Sequence, residues 1–452
     1  MKMNTTEAYY KKMTETPVSR LIVTLGIPTT ISMLVTSLYN MADTYFVGTL
    51  GESQQAATGI LFTLQAIIQA FMLGQGSGTL VSKALADKNT DEASEYVSTA
   101  FFTGAAAGTA LLVLGLSFLN PLLRLLGSTE TILPYARDYG MWVLIACPFM
   151  VCSFVLNNNL RYEGKAFYAM IGLVSGGILN IFGDWLLIMV FDRGVFGAGL
   201  STAVSQILSF LLLLYFHRKT AQGNISPRFI SRRAHTYLTI ARVGFPALIR
   251  QGLTSISNGL LNNLTKPYGD AAIAAMSVVN RYSMLVMCVG LGIGQGFQPV
   301  CGFNIGAERY DRVRYAYKFC TVFSSIFMLL FGAVVFMMSD NLISVFRDDP
   351  LVIADGTPML RFQCITAVTQ GIIVMTNMLL QNMGKTFLSS FFAMARQGLF
   401  YIPIMYIFSS AFGIWGIWTA QSAADVLTAL LSLPAMFMLL KELKEKEETA
   451  TM

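Results

Sequence analysis

Twelve times between Leu21 and Leu440 the chain runs apolar for about 20 residues or more, the length that a bilayer's hydrocarbon core demands of a helix. The stretches lie at 21–46, 55–82, 95–118, 133–158, 166–190, 196–216, 237–262, 271–302, 313–338, 357–382, 387–410 and 414–440. Lipid offers no partner to a free N–H or C=O, so each stretch is expected to be a helix. The fold class that follows is an all-α polytopic membrane protein with twelve transmembrane helices. Charge agrees, with 12% of residues charged against about 25% in a soluble domain. The second and eighth stretches are long enough to tilt or bend, and Pro28, Pro148, Pro246, Pro299 and Pro403 lie inside spans.

The polar breaks set the orientation. With twelve helices both termini share a side, and 22 of the 31 Lys and Arg residues fall there, against 5 on the other side. The positive-inside rule makes that side cytoplasmic. These basic residues flank the membrane rather than lining one helix face, so the net charge of +6 carries no nucleic-acid signal. The first twenty residues are polar and resemble no cleavable signal, which leaves the first span to direct insertion. Six cysteines lie in apolar runs without metal-type spacing and read as small buried hydrophobes. The two histidines, His217 and His235, fall in one basic loop, which leaves no His within the spans for hydrolytic or zinc chemistry. An enzyme is not expected.

The loop His217–Thr236 divides the chain almost in half, and the chain repeats across it. At an offset of 218, residues 26–78 and 244–296 share 13 identities in 53 positions, among them Gly26/Gly244, Pro28/Pro246, Asn40/Asn258 and Gly74, Gly76 and Gly78 with Gly292, Gly294 and Gly296. Later pairs such as Lys165/Lys385 and Gly194/Gly413 hold at 220 and 219. The expected organisation is a cytoplasmic tail (1–20), a six-helix lobe (21–216), a cytoplasmic linker (217–236), a second six-helix lobe (237–440) and a tail (441–452). Each copy has an even number of helices, so both insert the same way up, as in transporters whose halves rock about a central site.

Acids inside the spans are costly and mark functional sites by default. On the first helix Thr29, Ser32, Thr36, Asn40 and Asp43 form one polar stripe ending in a carboxylate. The same acid would also suit a helix end in the headgroup layer. On the fifth helix Asn180 and Asp184 share a face, with Gly172 and Gly176 spaced for close helix packing, and on the sixth Thr202 and Gln206 do the same. These oxygens suit a hard cation such as Na⁺, and a buried acid pair would equally hold a proton. A plainer alternative pairs Asp184 with a nearby base such as Arg193 or has it cap its own helix. The second half is striped with neutral groups, Gln251, Ser255, Asn258 and Asn262 on its first helix and Gln363, Thr366, Gln370 and Asn377 on its fourth. With Thr36, Asn40 and Gln206, the residues Gln251, Ser255, Asn258 and Gln370 are the candidates for a substrate cavity. Arg250, Arg281 and Arg396 sit at membrane depth, where they either pair with acids near the cytoplasmic side or meet an anionic substrate.

The segments SLYNMADTYFVGTLG with AATGI, LNIFGDWLLI, GVFGAGLSTAVSQ, and GFPALIRQGLTSIS with GIGQGFQPVCGFNIGAERYDRVR together resemble the multidrug and toxic compound extrusion (MATE) family, in its DinF-like and MepA-like bacterial branch. The resemblance spans nearly the whole chain. It implies a V-shaped pair of six-helix lobes in the bacterial plasma membrane, acting as a monomer. It further implies export of cationic, amphipathic small molecules in exchange for H⁺ or Na⁺, with no other cofactor. The branch's amino-terminal acid matches Asp43, and its other cation-site residues match Asn180, Asp184 and Thr202. NorM-like members carry acids on the seventh and tenth helices, and this chain has none there. A lipid-linked oligosaccharide flippase of the wider superfamily, with an anionic substrate, is the alternative that the three arginines would favour.

Overall fold

In the computed structural model residues 5–70, 73–346 and 350–450 are described, and they are almost wholly helical, with no strand among them. Among the described residues ten helices are long and apolar enough to cross a membrane. Of the other two expected spans, the second is divided into Glu52–Ala70 and Leu73–Ala86 across residues 71 and 72, which lie outside the described set. The seventh is a 32-residue helix, Ala234–Thr265, made more polar by Arg242, Arg250 and its amides. Most sequence-read spans agree with the helices to within about five residues, but the helix Pro350–Asn382 begins seven residues before its expected span and Ile414–Ala450 runs ten residues past its own, because hydropathy reports the apolar wall a helix must present to lipid and not where the helix stops.

The chain divides into two compact units. One comprises Met1–Lys12 and Ile31–Leu248, the other Met13–Thr30 and Ile249–Met452. The two cut points, after Thr30 and after Leu248, are separated by the 218 residues of the internal repeat. Each falls inside a continuous helix and two residues past a proline, Pro28 or Pro246.

The first unit contains α1 (Thr5–Glu15, shared at its end), most of α2 (Val18–Gly48), α3 (Glu52–Ala70), α4 (Leu73–Ala86), α5 (Thr90–Ser117), the short α6 (Leu119–Leu125), α7 (Leu133–Tyr162), α8 (Ala166–Asp184), α9 (Gly194–Thr220) and the start of α10 (Ala234–Thr265). The central helix is α7, which packs against α3, α4, α5, α8 and α9. Its buried Tyr139, Val143, Leu144 and Cys147 meet Leu61, Leu64 and Ile188 in one apolar cluster. Lipid tails are as apolar as these side chains, so close packing rather than water exclusion holds such helices together. Glycine makes the approach possible. A Cβ on Gly176 would stand 2.9 Å from the Ser209 Cβ, and one on Gly76 only 2.1 Å from the Ile240 carbonyl oxygen. The expected Gly172/Gly176 packing face is therefore real, and Ser209 Oγ donates to the Gly172 carbonyl at 2.9 Å.

The linker between the halves is docked rather than loose. α9 runs on to Thr220 and carries His217 with it, so this histidine is buried in a helix instead of lying in the loop expected from sequence. Beyond it, Gln222 and Gly223 donate backbone N–H groups to the fully buried Glu163 carboxylate. Ser226 and Ser231 donate theirs to Ser98 and Thr99 of α5.

The second unit repeats the plan with α11 (Asp270–Gly306), α12 (Tyr310–Met337), α13 (Ser339–Phe346), α14 (Pro350–Asn382), α15 (Thr386–Met394), α16 (Tyr401–Phe412) and α17 (Ile414–Ala450). Its centre is α14, packed by α11, α12, α13, α15 and α17. The opening part of α2 completes this unit. A Cβ on Gly296 would lie 2.5 Å from the Gly26 Cα, and the Arg312 guanidinium and Asn304 amide donate to the backbone carbonyl of Met13.

Candidate functional site

Asp43 lies five residues before the end of α2, inside the first unit, and is only 3% exposed, enclosed by neighbouring helices rather than bare as a cap among headgroups would be. Three other helices meet it. Tyr139 of α7 donates its hydroxyl to Asp43 Oδ2 at 3.0 Å and stands 3.0 Å from Thr202 Oγ1 of α9. Asn180 of α8 donates Nδ2 to the same Thr202 oxygen at 3.2 Å. A phenol has one proton, so proton counting fixes the direction: Asn180 to Thr202, Thr202 to Tyr139, Tyr139 to Asp43. Glycines again set the spacing, since a Cβ on Gly199 would lie 3.0 Å from the Tyr139 Cα and one on Gly183 would lie 2.5 Å from Ser201 Oγ.

Asp184 closes the cluster. It is the last residue of α8 before a π-helical turn, Trp185–Val190, and is fully buried. Single π turns inside α-helices recur at functional sites because the wider turn re-aims the side chains around it. Asp184 stands beside Ser201 and Asp43, close enough for the two carboxyl groups to share a proton. It makes no ion pair with Arg193, which is exposed. Four buried oxygens here lack a donor: Asp43 Oδ1, Asn180 Oδ1 and both Asp184 oxygens. Every one is an acceptor, and a buried unsatisfied acceptor costs about 1–3 kcal/mol, more when charged. Two carboxylates side by side without a base call for a positive charge among them. Among the described residues no three His, Cys, Asp or Glu side chains gather as a metal centre. The oxygen set, two carboxyls with amide and hydroxyl oxygens, suits a proton or a small hard cation.

The other sequence candidates fare differently. Asn40 is half-buried one turn from Asp43, Gln206 meets the Tyr39 hydroxyl, and Thr36 donates to the Ser32 carbonyl of its own helix. In the second unit Gln251 is half-buried, whereas Ser255 and Asn258 are exposed. Gln370 is buried and donates to Asp425 Oδ2 at 2.5 Å. Asp425 adds a buried acid to the second half, whose seventh and tenth helices the sequence showed striped only with neutral groups. It sits on α17, 3% exposed, and binds the Arg396 Nε at 2.8 Å. Arg396 thus pairs inside the eleventh span, in the π turn Ala395–Leu399 that joins α15 to α16. Sequence reading passed over Tyr139 and Asp425. Tyrosine in an apolar helix gives no local signal, but a lone acid inside AADVLTALL does.

With this geometry in place, a family model described as MatE matches residues 28–186 and again 246–407. The chain belongs to the MATE family. MATE members are transporters, not enzymes. Among curated proteins, the multidrug export protein MepA of Staphylococcus saprophyticus is 25% identical over 395 residues, covering 86% of this chain and 87% of that protein. The MepA of Staphylococcus haemolyticus is 26% identical over 407 residues, 89% of each. Among solved structures, a multidrug resistance MATE transporter in an outward-facing conformation superposes with a TM-score of 0.90 at 24% identity, over 98% of this chain and all of that one. A MOP superfamily transporter from Pyrococcus furiosus gives 0.89 at 24%, over 96% and 98%. These likenesses establish the twelve-helix MATE fold.

Proposed function

We propose that this chain is a multidrug efflux antiporter that exports cationic, amphipathic compounds across the cell membrane in exchange for H⁺ or Na⁺, with Asp43, Asn180, Asp184 and Thr202 as the coupling site. The observation that carries the reading is the group of four donor-less buried oxygens around two carboxyls. An inorganic cation or a proton satisfies them. The multidrug export proteins to which the chain is similar support the substrate class, and the basic flanks support cytoplasmic termini.

Exchange needs only that ion and cargo favour different states of the protein. With Asp43 ionised, the first unit presents negative charge that attracts a cationic cargo. Binding of the ion neutralises the pair, lets α2 repack around a satisfied cluster and releases the cargo outward. The hydrogen-bond series from Asn180 to Asp43 ties this change to α7, α8 and α9 together. Thr36, Asn40 and Gln206 are the polar groups nearest to serve the cargo in this unit, with Gln251, Ser255, Asn258 and Gln370 in the other.

The test is dye efflux from everted vesicles or cells, with proton and sodium gradients imposed separately. Asp43→Asn is expected to fold and reach the membrane yet to lose gradient-driven efflux of ethidium. A wild-type rate from that variant sinks the mechanism. The gradient that drives the wild type identifies the ion.

A further inference from the structure

The second unit buries a charge cluster of the opposite sign, which the coupling cycle does not use. Asp425 takes Arg396 Nε and Gln421 Nε2 on Oδ1, at 2.8 and 3.0 Å, and Gln370 Nε2 on Oδ2 at 2.5 Å. Both of its oxygens are thereby engaged. Arg250 lies midway along α10, on the face whose Leu253 and Ser257 touch the neighbouring π turn at Gly398 and Gln397. Arg250 and Arg396 are close enough for their charges to repel. Asp425 pairs with Arg396, and among the described residues no carboxylate pairs with Arg250. Arg250 is half-buried, and among the described residues neither its guanidinium nor the terminal nitrogens of Arg396 meet an acceptor. A second observation comes from Gln370, 93% of whose surface is buried (7% exposed): Asp425 fixes its amide orientation and leaves Oε1 without a donor. Unpaired donors of positive charge beside a buried lone acceptor describe a ligand with an anionic head and a neighbouring N–H or O–H group.

We infer that Arg250, with the free end of Arg396 and Oε1 of Gln370, forms a binding site for the carboxylate head of an organic cargo, so that carboxylate-bearing amphiphiles as well as cations enter this protein. Its physiological meaning rests on the reading of the chain as an exporter. Binding itself is measured without any gradient, so a failed efflux cycle leaves this inference standing and a failed binding test leaves the efflux reading standing.

The measurement is fluorescence anisotropy of two probes, fluorescein and ethidium, on purified protein in phosphatidylcholine nanodiscs. Fluorescein is expected to bind the wild type, and Arg250→Gln to weaken it about tenfold or more, the usual loss for one charged hydrogen bond. Arg250→Lys keeps the charge and should retain most of the affinity, while ethidium binding stays within about threefold of wild type in both variants. Fluorescein should also raise the melting temperature of the wild type and not that of Arg250→Gln. Equal fluorescein affinity in wild type and Arg250→Gln overturns the inference. So does a parallel loss of ethidium binding, which would mean that Arg250 is only a packing element.

Discussion

Tyr139 shows how one hydroxyl joins Asp43 to Thr202, 159 positions apart in sequence. It gives its proton to Asp43 and receives one from Thr202, so its removal leaves Asp43 Oδ2 without this donor and the Thr202 hydroxyl proton without this acceptor. Tyr139→Phe keeps the ring in the apolar cluster and is expected to fold. At about 1–3 kcal/mol for the orphaned groups, gradient-driven efflux should slow about tenfold, less severely than in Asp43→Asn; an unchanged rate would remove Tyr139 from the site. The acids and amides of the site were legible because each interrupts an apolar run. The phenol that joins them was not, because its hydrogen bonds are made across elements that sequence separates. The stripe of Ser255 and Asn258 is exposed, with no neighbouring helix among the described residues covering it. Helical spacing groups polar residues on a face without saying what that face meets.

Among the elements, the linker offers the clearest test. Glu163 at the end of α7 is fully buried, and burial pushes its carboxyl up to about 7, although the N–H groups of Gln222 and Gly223 and the charge of Lys165 pull it partly back. Between the ordinary value of 4.5 and about 7 the folded protein binds a proton that the unfolded chain does not. Stability attributable to this group is therefore present at low pH, declines as pH rises through that window, and is flat above it, by about 3 kcal/mol in all. Glu163→Gln should flatten the pH dependence of the melting temperature between those limits. A slope identical to wild type would contradict the assignment. Helix ends were the least legible part of the fold. Hydropathy placed His217 in a loop, and one further turn of α9 buried it, since the linker supplies protein rather than water as its surroundings.

For the whole molecule, the repeat foretold two similar six-helix sets but not the trade between them. Met13–Thr30 belongs to the second unit and Ala234–Leu248 to the first. The carboxy-terminal half expressed alone, from residue 227 onward, lacks the helix that lies against Gly296 and the carbonyl groups that receive Arg312. It should be degraded or aggregate, and co-expression of residues 1–226 should restore a stable complex, read by pull-down and melting temperature. Stable, monodisperse accumulation of the half alone would count against the division. The units also differ in what they bury, two carboxyls without a base in one and, in the other, a carboxylate paired with Arg396 while Arg250 has no such partner among the described residues. Sequence showed the first pair and listed the arginines, but only packing shows which of them is left over.

Proline removes one rung from a helix's ladder of backbone bonds, and both handovers, after Thr30 and after Leu248, come two residues beyond such a missing rung. Each long helix is thus already softened where its loyalties change. A bend at that joint breaks no bond that was ever made, so a shift in the second portion of α2 need not drag its first portion out of the seat it occupies beside Gly296.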